Sequence, residues 1–128
     1  PSDIIRMPSD SSSKDVSRKV AAFLGASGVA LGAIGAHAMK DTLTKRGTSS
    51  SWQMATMYQL FHATALLTMA SSDTIKPLAS QLLAVGTVMF SGSIYCLSLN
   101  IGPRAILGPT TPVGGLLMIG GWIVAGLS

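Results

Sequence analysis

Glutamate does not occur in this chain, charged residues make up 11% of it and aromatic residues 5%. The acids are Asp3, Asp10, Asp15, Asp41 and Asp73, and none lies within a long apolar segment. A pair of carboxylates doing general acid–base work inside such a segment is therefore excluded. Cys96 is the single cysteine and sits in an apolar run. An intrachain disulfide is thus excluded, a metal–thiolate cluster would need other chains, and Cys96 reads as a small buried hydrophobe. The formal net charge of +4 does not point to nucleic acid. The basic residues stand at the ends of hydrophobic segments, where anionic headgroups and membrane retention account for them.

What the chain has is apolar length. Hydrophobic residues at 48% and a mean hydropathy of +0.49 are the composition of a polytopic membrane protein, and 128 residues allow one domain. Residues 20–39, VAAFLGASGVALGAIGAHAM, are about twenty uncharged residues, the length that crosses a bilayer. On an ideal helix Gly25, Gly28, Gly32 and Gly35 form one stripe with Ala21 beside it, and Ala26, Ala30, Ala33 and His37 form another nearly opposite. Small residues let membrane helices approach closely, so two such faces predict two neighbours and a central position for this helix. The alternative is a glycine-rich anchor dimerising through Gly28 and Gly32.

The predicted fold is an all-α integral membrane bundle of four transmembrane helices, at about 19–39, 51–71, 77–99 and 112–127. Residues 1–18, rich in serine and carrying both charge signs, read as a flexible polar tail, leaving 19–128 as the transmembrane domain. Arg18 and Lys19 before an apolar run ending in Ala36-His37-Ala38 have the outline of a signal peptide, and Pro1 fits removal of either an initiator Met or a longer targeting sequence. Residues 40–51 read as a surface loop, with Ser50 or Ser51 capping the second helix and Trp52 at interface depth. Pro77 suits the first turn of the third helix, and Pro112, behind a threonine cap, that of the fourth. Gly114, Gly121 and Ala125 give the fourth helix a small stripe broken by Met118. Four spans place both termini on one side. Basic residues favour that side by a margin of one, a weak lean towards the cytoplasm or matrix.

Ionisable residues at membrane depth are costly and default functional candidates; here they are His37 and His62. Trp52, Ala55, Gln59, His62, Leu66 and Met69 recur in steps of three and four, with Tyr58 beside them. That seam faces a partner helix, for which an antiparallel first helix is the nearest choice, with His37 close to Trp52. On the third helix Thr87, Ser91 and Ser98 share a face near Tyr95, with Gly86 and Ser93 opposite. The structural polar core is therefore His37, Trp52, Tyr58, Gln59, His62, Ser91 and Tyr95, and the helix-packing glycines are Gly25, Gly28, Gly32, Gly35, Gly114 and Gly121. The favoured role of the histidines is hydrogen bonding between helices. Metal or haem ligation would need both histidines at one depth or ligands from other chains, and a proton path would need further titratable groups. A lipid or quinone between helices is a further reading. A serine hydrolase lacks an acid to orient the histidine, and the GPTTP segment, 108–112, could offer a helix N-terminus to an anion.

In this order and spacing, GAIGAHAMK (32–40), WQMATMYQLFH (52–62), SGSIY (91–95) and GPTTPVGG (108–115) resemble the transmembrane protein 256 family of small four-helix membrane proteins, over residues 18–127. Ala38 departs from the family's usual glycine, which would cap the first helix. The resemblance implies a bacterial or mitochondrial inner-membrane location. It carries over His37, Trp52, Tyr58, Gln59, His62 and Pro112 as a packing core and brings no activity with it. The expectation is a non-enzymatic accessory or assembly subunit of a larger membrane complex, respiratory in kind. Its partners would be other membrane subunits and phospholipids, with no cofactor beyond bound lipid. A homo-oligomeric transporter or channel using His62 is the rival, and a metal- or haem-carrying enzyme the third reading.

Overall fold

The computed structural model describes the backbone of residues 8–128 and the side chains of residues 12–128. Five helices follow in order: α1 (Pro8–Ala36), α2 (Lys40–Arg46), α3 (Ser49–Ala70), α4 (Pro77–Ser98) and α5 (Arg104–Leu127). Three are long and apolar enough to cross a membrane, namely Ser12–Ala36 within α1, α4 and α5. The expectation of four such spans is corrected by α3, whose composition is too polar. Its 22 residues match α4 in length and carry no charge. Its polar side chains Thr56, Gln59 and His62 are buried against other helices, a placement that composition alone does not register.

Helix α1 starts well ahead of residue 19. Of the predicted tail, residues 8–18 are helical and residues 1–7 lie outside the described residues. Pro8 fits the first turn of a helix, Arg18 pairs with Asp15 one turn back at 2.7 Å, and Lys14 reaches Asp73 in the α3–α4 turn. At about 1.5 Å per residue the 29-residue helix outruns a hydrocarbon core of roughly 30 Å, so its charged first turns stand outside that core. Helix α1 stops at Ala36, three residues short of the expected end, where Met39 N–H reaches back to Ile34 O at 2.8 Å.

The loop expected over 40–51 contains α2. Asp41 lies in its first turn and Lys45 and Arg46 in its last, which complements the helix dipole. Gly47, at φ 70°, ends it in the left-handed conformation that glycine takes without strain, and Leu43 anchors it at 2% exposure. Helix α3 starts at Ser49 with no side-chain cap, because the Thr48 hydroxyl donates to Ser98 O instead. Asn100 at φ 55° and Gly102 at φ 84° turn the chain into α5.

Helix α5 begins eight residues before Pro112, so Pro109 and Pro112 lie inside it. The GPTTP segment therefore presents no helix N-terminus. Membrane helices tolerate proline; here Pro109 and Pro112 bring no N–H to Ala105 O and Gly108 O, while Thr110 and Thr111 donate to the neighbouring carbonyls Ile106 O at 2.7 Å and Leu107 O at 3.4 Å.

Helices α1, α3, α4 and α5 pack in that order, each against the next. Trp52 lies by Gly35 and Ala63 by Gly25, so α1 and α3 are antiparallel; Ser91 bonding to Ala55 O and Ser80 lying by Met69 make α3 and α4 antiparallel. The inner helices are α3 and α4, not α1. The glycine stripe of α1 faces α3, whereas Ala26, Ala30, Ala33 and His37 are exposed. Between α4 and α5 backbones meet. A Cβ on Gly114 would lie 2.5 Å from Phe90 N, one on Gly86 2.7 Å from Gly114 O, and one on Gly121 2.8 Å from Leu83. A Cβ on Gly32 meets nothing within 4 Å, so Gly32→Ala should leave the melting temperature in detergent unchanged within about 0.5 kcal/mol.

Candidate functional site

The interior of this bundle is organised by two carbonyls on α1. A helix carbonyl at position i is screened by the side chain four residues on, and Leu24 and Leu31 have Gly28 and Gly35 there. Both oxygens accept a second hydrogen bond from α3: Gln59 Nε2 donates to Leu24 O and Trp52 Nε1 to Leu31 O, each at 2.9 Å. Seven residues separate the two glycines and seven separate Trp52 from Gln59. The antiparallel register brings both pairs together at once.

Gln59, 4% exposed, is fully engaged. Its Nε2 also donates to Ser27 Oγ at 2.8 Å, Ser27 Oγ donates onward to Phe23 O at 2.7 Å, and Tyr95 OH donates to Gln59 Oε1 at 2.7 Å. One amide therefore ties α1, α3 and α4. Unsatisfied polar groups in hydrocarbon cost several kcal/mol each, and here every hydrogen-bonding atom of the Gln59 amide is matched in kind. The Tyr95 ring lies 4.7 Å from that of Trp52, and Ser91 Oγ donates to Ala55 O at 2.8 Å.

His62 is 4% exposed and uses both ring nitrogens. Trp122 Nε1 on α5 points its N–H at Nε2 from 3.0 Å, and Nδ1 lies 2.8 Å from Tyr58 O. An indole N–H only donates, so Nε2 carries the lone pair and Nδ1 the proton, which it donates to the carbonyl. The ring is neutral in this arrangement, and neither nitrogen offers a free lone pair to a metal. Removing the indole donor with Trp122→Phe leaves a buried acceptor unmatched. The expected cost is about 0.6 to 1.7 kcal/mol, seen as a lower melting temperature in detergent.

Two residues predicted in the polar core lie outside it. Tyr58 is 38% exposed, its ring parallel to that of His62 at 6.0 Å and tilted on Phe90 at 4.8 Å. It faces outwards because the buried seam of α3 passes through Ala55, Gln59 and His62. His37 is exposed in the turn after α1. The register sets His62 near the level of Gly25, about 18 Å from His37 by helical rise, too far to share a metal. Trp52 is buried at 3% against α1. Thr87 bonds its own helix at Leu83 O, and Ser98 O accepts from Arg46 Nε and Thr48 Oγ1 while its own hydroxyl is buried without a partner. Ser93 and Thr111 hydroxyls share a bond at 2.5 Å between α4 and α5. The sequence reading missed Ser27 and Trp122. Ser27 sits beside the glycine stripe among residues chosen for size, and a lone Trp near a helix end resembles an interfacial anchor.

Among the described residues no group of three or more His, Cys, Asp or Glu is placed to hold a metal ion. The buried hydroxyls, amide and imidazole, Ser98 excepted, are consumed in bonds between or along helices, so the arrangement joins helices and presents no free nucleophile–base pair.

Known proteins show the same kind of chain. A family model described as "Protein of unknown function (DUF423)" matches residues 31–115, a stretch holding Gly35, Trp52, Gln59, His62, Tyr95 and Gly114. A UPF0382 membrane protein of Staphylococcus epidermidis is 41% identical, covering 75% of this chain and 80% of the relative. UPF0382 membrane protein C1782.12c of Schizosaccharomyces pombe is 40% identical over 80% of this chain and 92% of its own length. The Escherichia coli UPF0382 inner membrane protein YgdD is 39% identical over 73% of each. No solved structure matches. The chain belongs to the DUF423 family, as its motifs suggested, and is an integral membrane protein.

Proposed function

We propose that this protein is a non-enzymatic accessory or assembly subunit of a larger respiratory membrane complex, seated in the mitochondrial inner membrane or, in a prokaryote, the bacterial inner membrane. The observation that carries this reading is the face of α1 formed by Ala26, Ala30 and Ala33, which is exposed along its length while the glycine face is taken up by α3. Small residues on a membrane helix serve close helix contact, and none of the described helices covers that face. The commitment of Gln59, His62, Ser91 and Tyr95 to internal bonds supports a packing role over chemistry. The name of the Escherichia coli relative, an inner membrane protein, supports the location.

The test is a native gel in gentle detergent on the tagged protein, with mass spectrometry of what migrates with it. The subunit reading predicts a large complex of fixed stoichiometry that loses the tagged chain when Ala30→Leu blocks the exposed face. Migration alone or as a small homo-oligomer would sink it. The rival transport reading predicts instead that His62→Ala abolishes flux while assembly survives.

A further inference from the structure

At the loop end of the bundle a cleft of about 370 Å³ opens between the last turns of α1, the short helix α2 and the first turns of α3. Its apolar floor includes Gly32 and Trp52, and its rim includes Lys40, Thr44, Ser49 and Gln53. It exists because α2 folds away from α1 and because Gly32 brings no side chain; the space beside Gly32 is open to 4 Å. Trp52 forms a wall while its N–H is spent on Leu31 O. The cleft lies level with the end of α1 at Ala36 and the start of α3 at Ser49, where the apolar span of α1 ends.

We infer that this cleft seats the phosphate and glycerol of an anionic phospholipid. Charge argues first: this end carries Lys40, Lys45, Arg46 and Arg104 against the single acid Asp41, and the ion pairs among the described residues, Lys14–Asp73 and Asp15–Arg18, both lie at the other end. Lys40 on the rim is a cation in want of an anion. Polarity argues second. Ser49 and Gln53 hold side-chain groups not used in bonds among the described residues, and Ser49 opens a helix whose first N–H groups have no side-chain cap, donors that suit a phosphate. Shape argues third: a floor of Gly32 and Trp52 suits methylenes, so a soluble anion would leave half the cleft unused, and a zwitterionic lipid would bring its own cation towards Lys40. The volume lies near the low end of small-molecule sites and fits a headgroup with its glycerol, with acyl chains passing into the bilayer. This inference does not rest on the subunit reading.

The test is native mass spectrometry of the full chain, exchanged into detergent with equal amounts of dioleoyl phosphatidylglycerol and dioleoyl phosphatidylcholine. The expected result is one retained lipid, with phosphatidylglycerol favoured roughly fivefold, the effect of one basic residue at a membrane surface. That preference falls to parity in Lys40→Gln and survives excess inorganic phosphate. Gly32→Leu, whose Cβ meets nothing within 4 Å and whose side chain fills the cleft, should lower retention of both lipids. Should that variant fail to fold, Lys40→Gln decides, since Lys40 is exposed. Equal retention of both lipids by the unaltered chain, an undiminished preference in Lys40→Gln, or displacement by inorganic phosphate would each overturn the inference.

Discussion

Gly114→Leu should abolish the folded α4–α5 pair, while the same change at Gly126 should be tolerated. At position 114 a Cβ alone would stand 2.5 Å from Phe90 N and 2.8 Å from Gly86 O. Both are backbone atoms of α4, so no rotamer change makes room. Overpacking a core costs typically about 1–3 kcal/mol when side chains can shift; here the helices must separate, and the expected loss is at least about 3 kcal/mol. Separation also breaks the Ser93–Thr111 bond and draws Trp122 from His62. Gly126 meets nothing within 4 Å. Proteolysis in detergent checks this: the Gly114 variant should be cut in 99–103 between the helices, and a melting temperature equal to that of the unaltered chain would contradict the contact.

The second large effect is at the Gln59 amide. Gln59→Leu keeps the volume and removes three hydrogen bonds, to Leu24 O, Ser27 Oγ and Tyr95 OH. At about 0.6 kcal/mol each in a membrane protein that is roughly 2 kcal/mol, and the stranded Tyr95 hydroxyl raises it towards about 3 kcal/mol. Tyr95→Phe alone should cost about 1 kcal/mol. The double variant should cost less than the sum by about 0.5–1 kcal/mol, because the hydroxyl stranded by the first change is absent in the second. Strict additivity in such a cycle, read from melting curves, would show that the two side chains do not meet.

Sequence periodicity made the helices legible where they are long and uninterrupted. Pro77 and Asn100 bracket α4 almost to the residue, and the α3 seam from Trp52 to Met69 is the buried face that the structure shows. Helix α2 was equally written in Asp41, Lys45, Arg46 and Gly47, yet seven residues of which only Leu43 is apolar, following a long apolar run, read first as loop. Pro112 misled in the opposite direction. A proline that opens helices in water sits inside one here, as proline is tolerated within membrane helices.

The site was half legible. Glycines seven apart on one segment and Trp52 and Gln59 seven apart on another are visible in the chain; that the glycines uncover the carbonyls which those two residues seek needs the antiparallel register. The two faces of α1 could not be told apart by composition, since glycine and alanine are both small. Only the tertiary contacts show that α3 takes the glycine face, which leaves α1 at one edge of the bundle. Trp122 could not have been paired with His62 from sequence, because sixty residues separate them and α5 begins far from where its prolines suggested.

The central claim is that Trp52, Gln59, His62, Ser91 and Tyr95 are consumed in joining helices inside this bundle. The most direct test is a solid-state nitrogen-15 spectrum of histidine-labelled protein in bilayers, with His37→Gln so that His62 alone reports. The account predicts a neutral ring protonated at Nδ1, whose Nε2 signal shifts in Trp122→Phe. An imidazolium, or an Nε2 signal indifferent to Trp122, would contradict it and return His62 to the proton path.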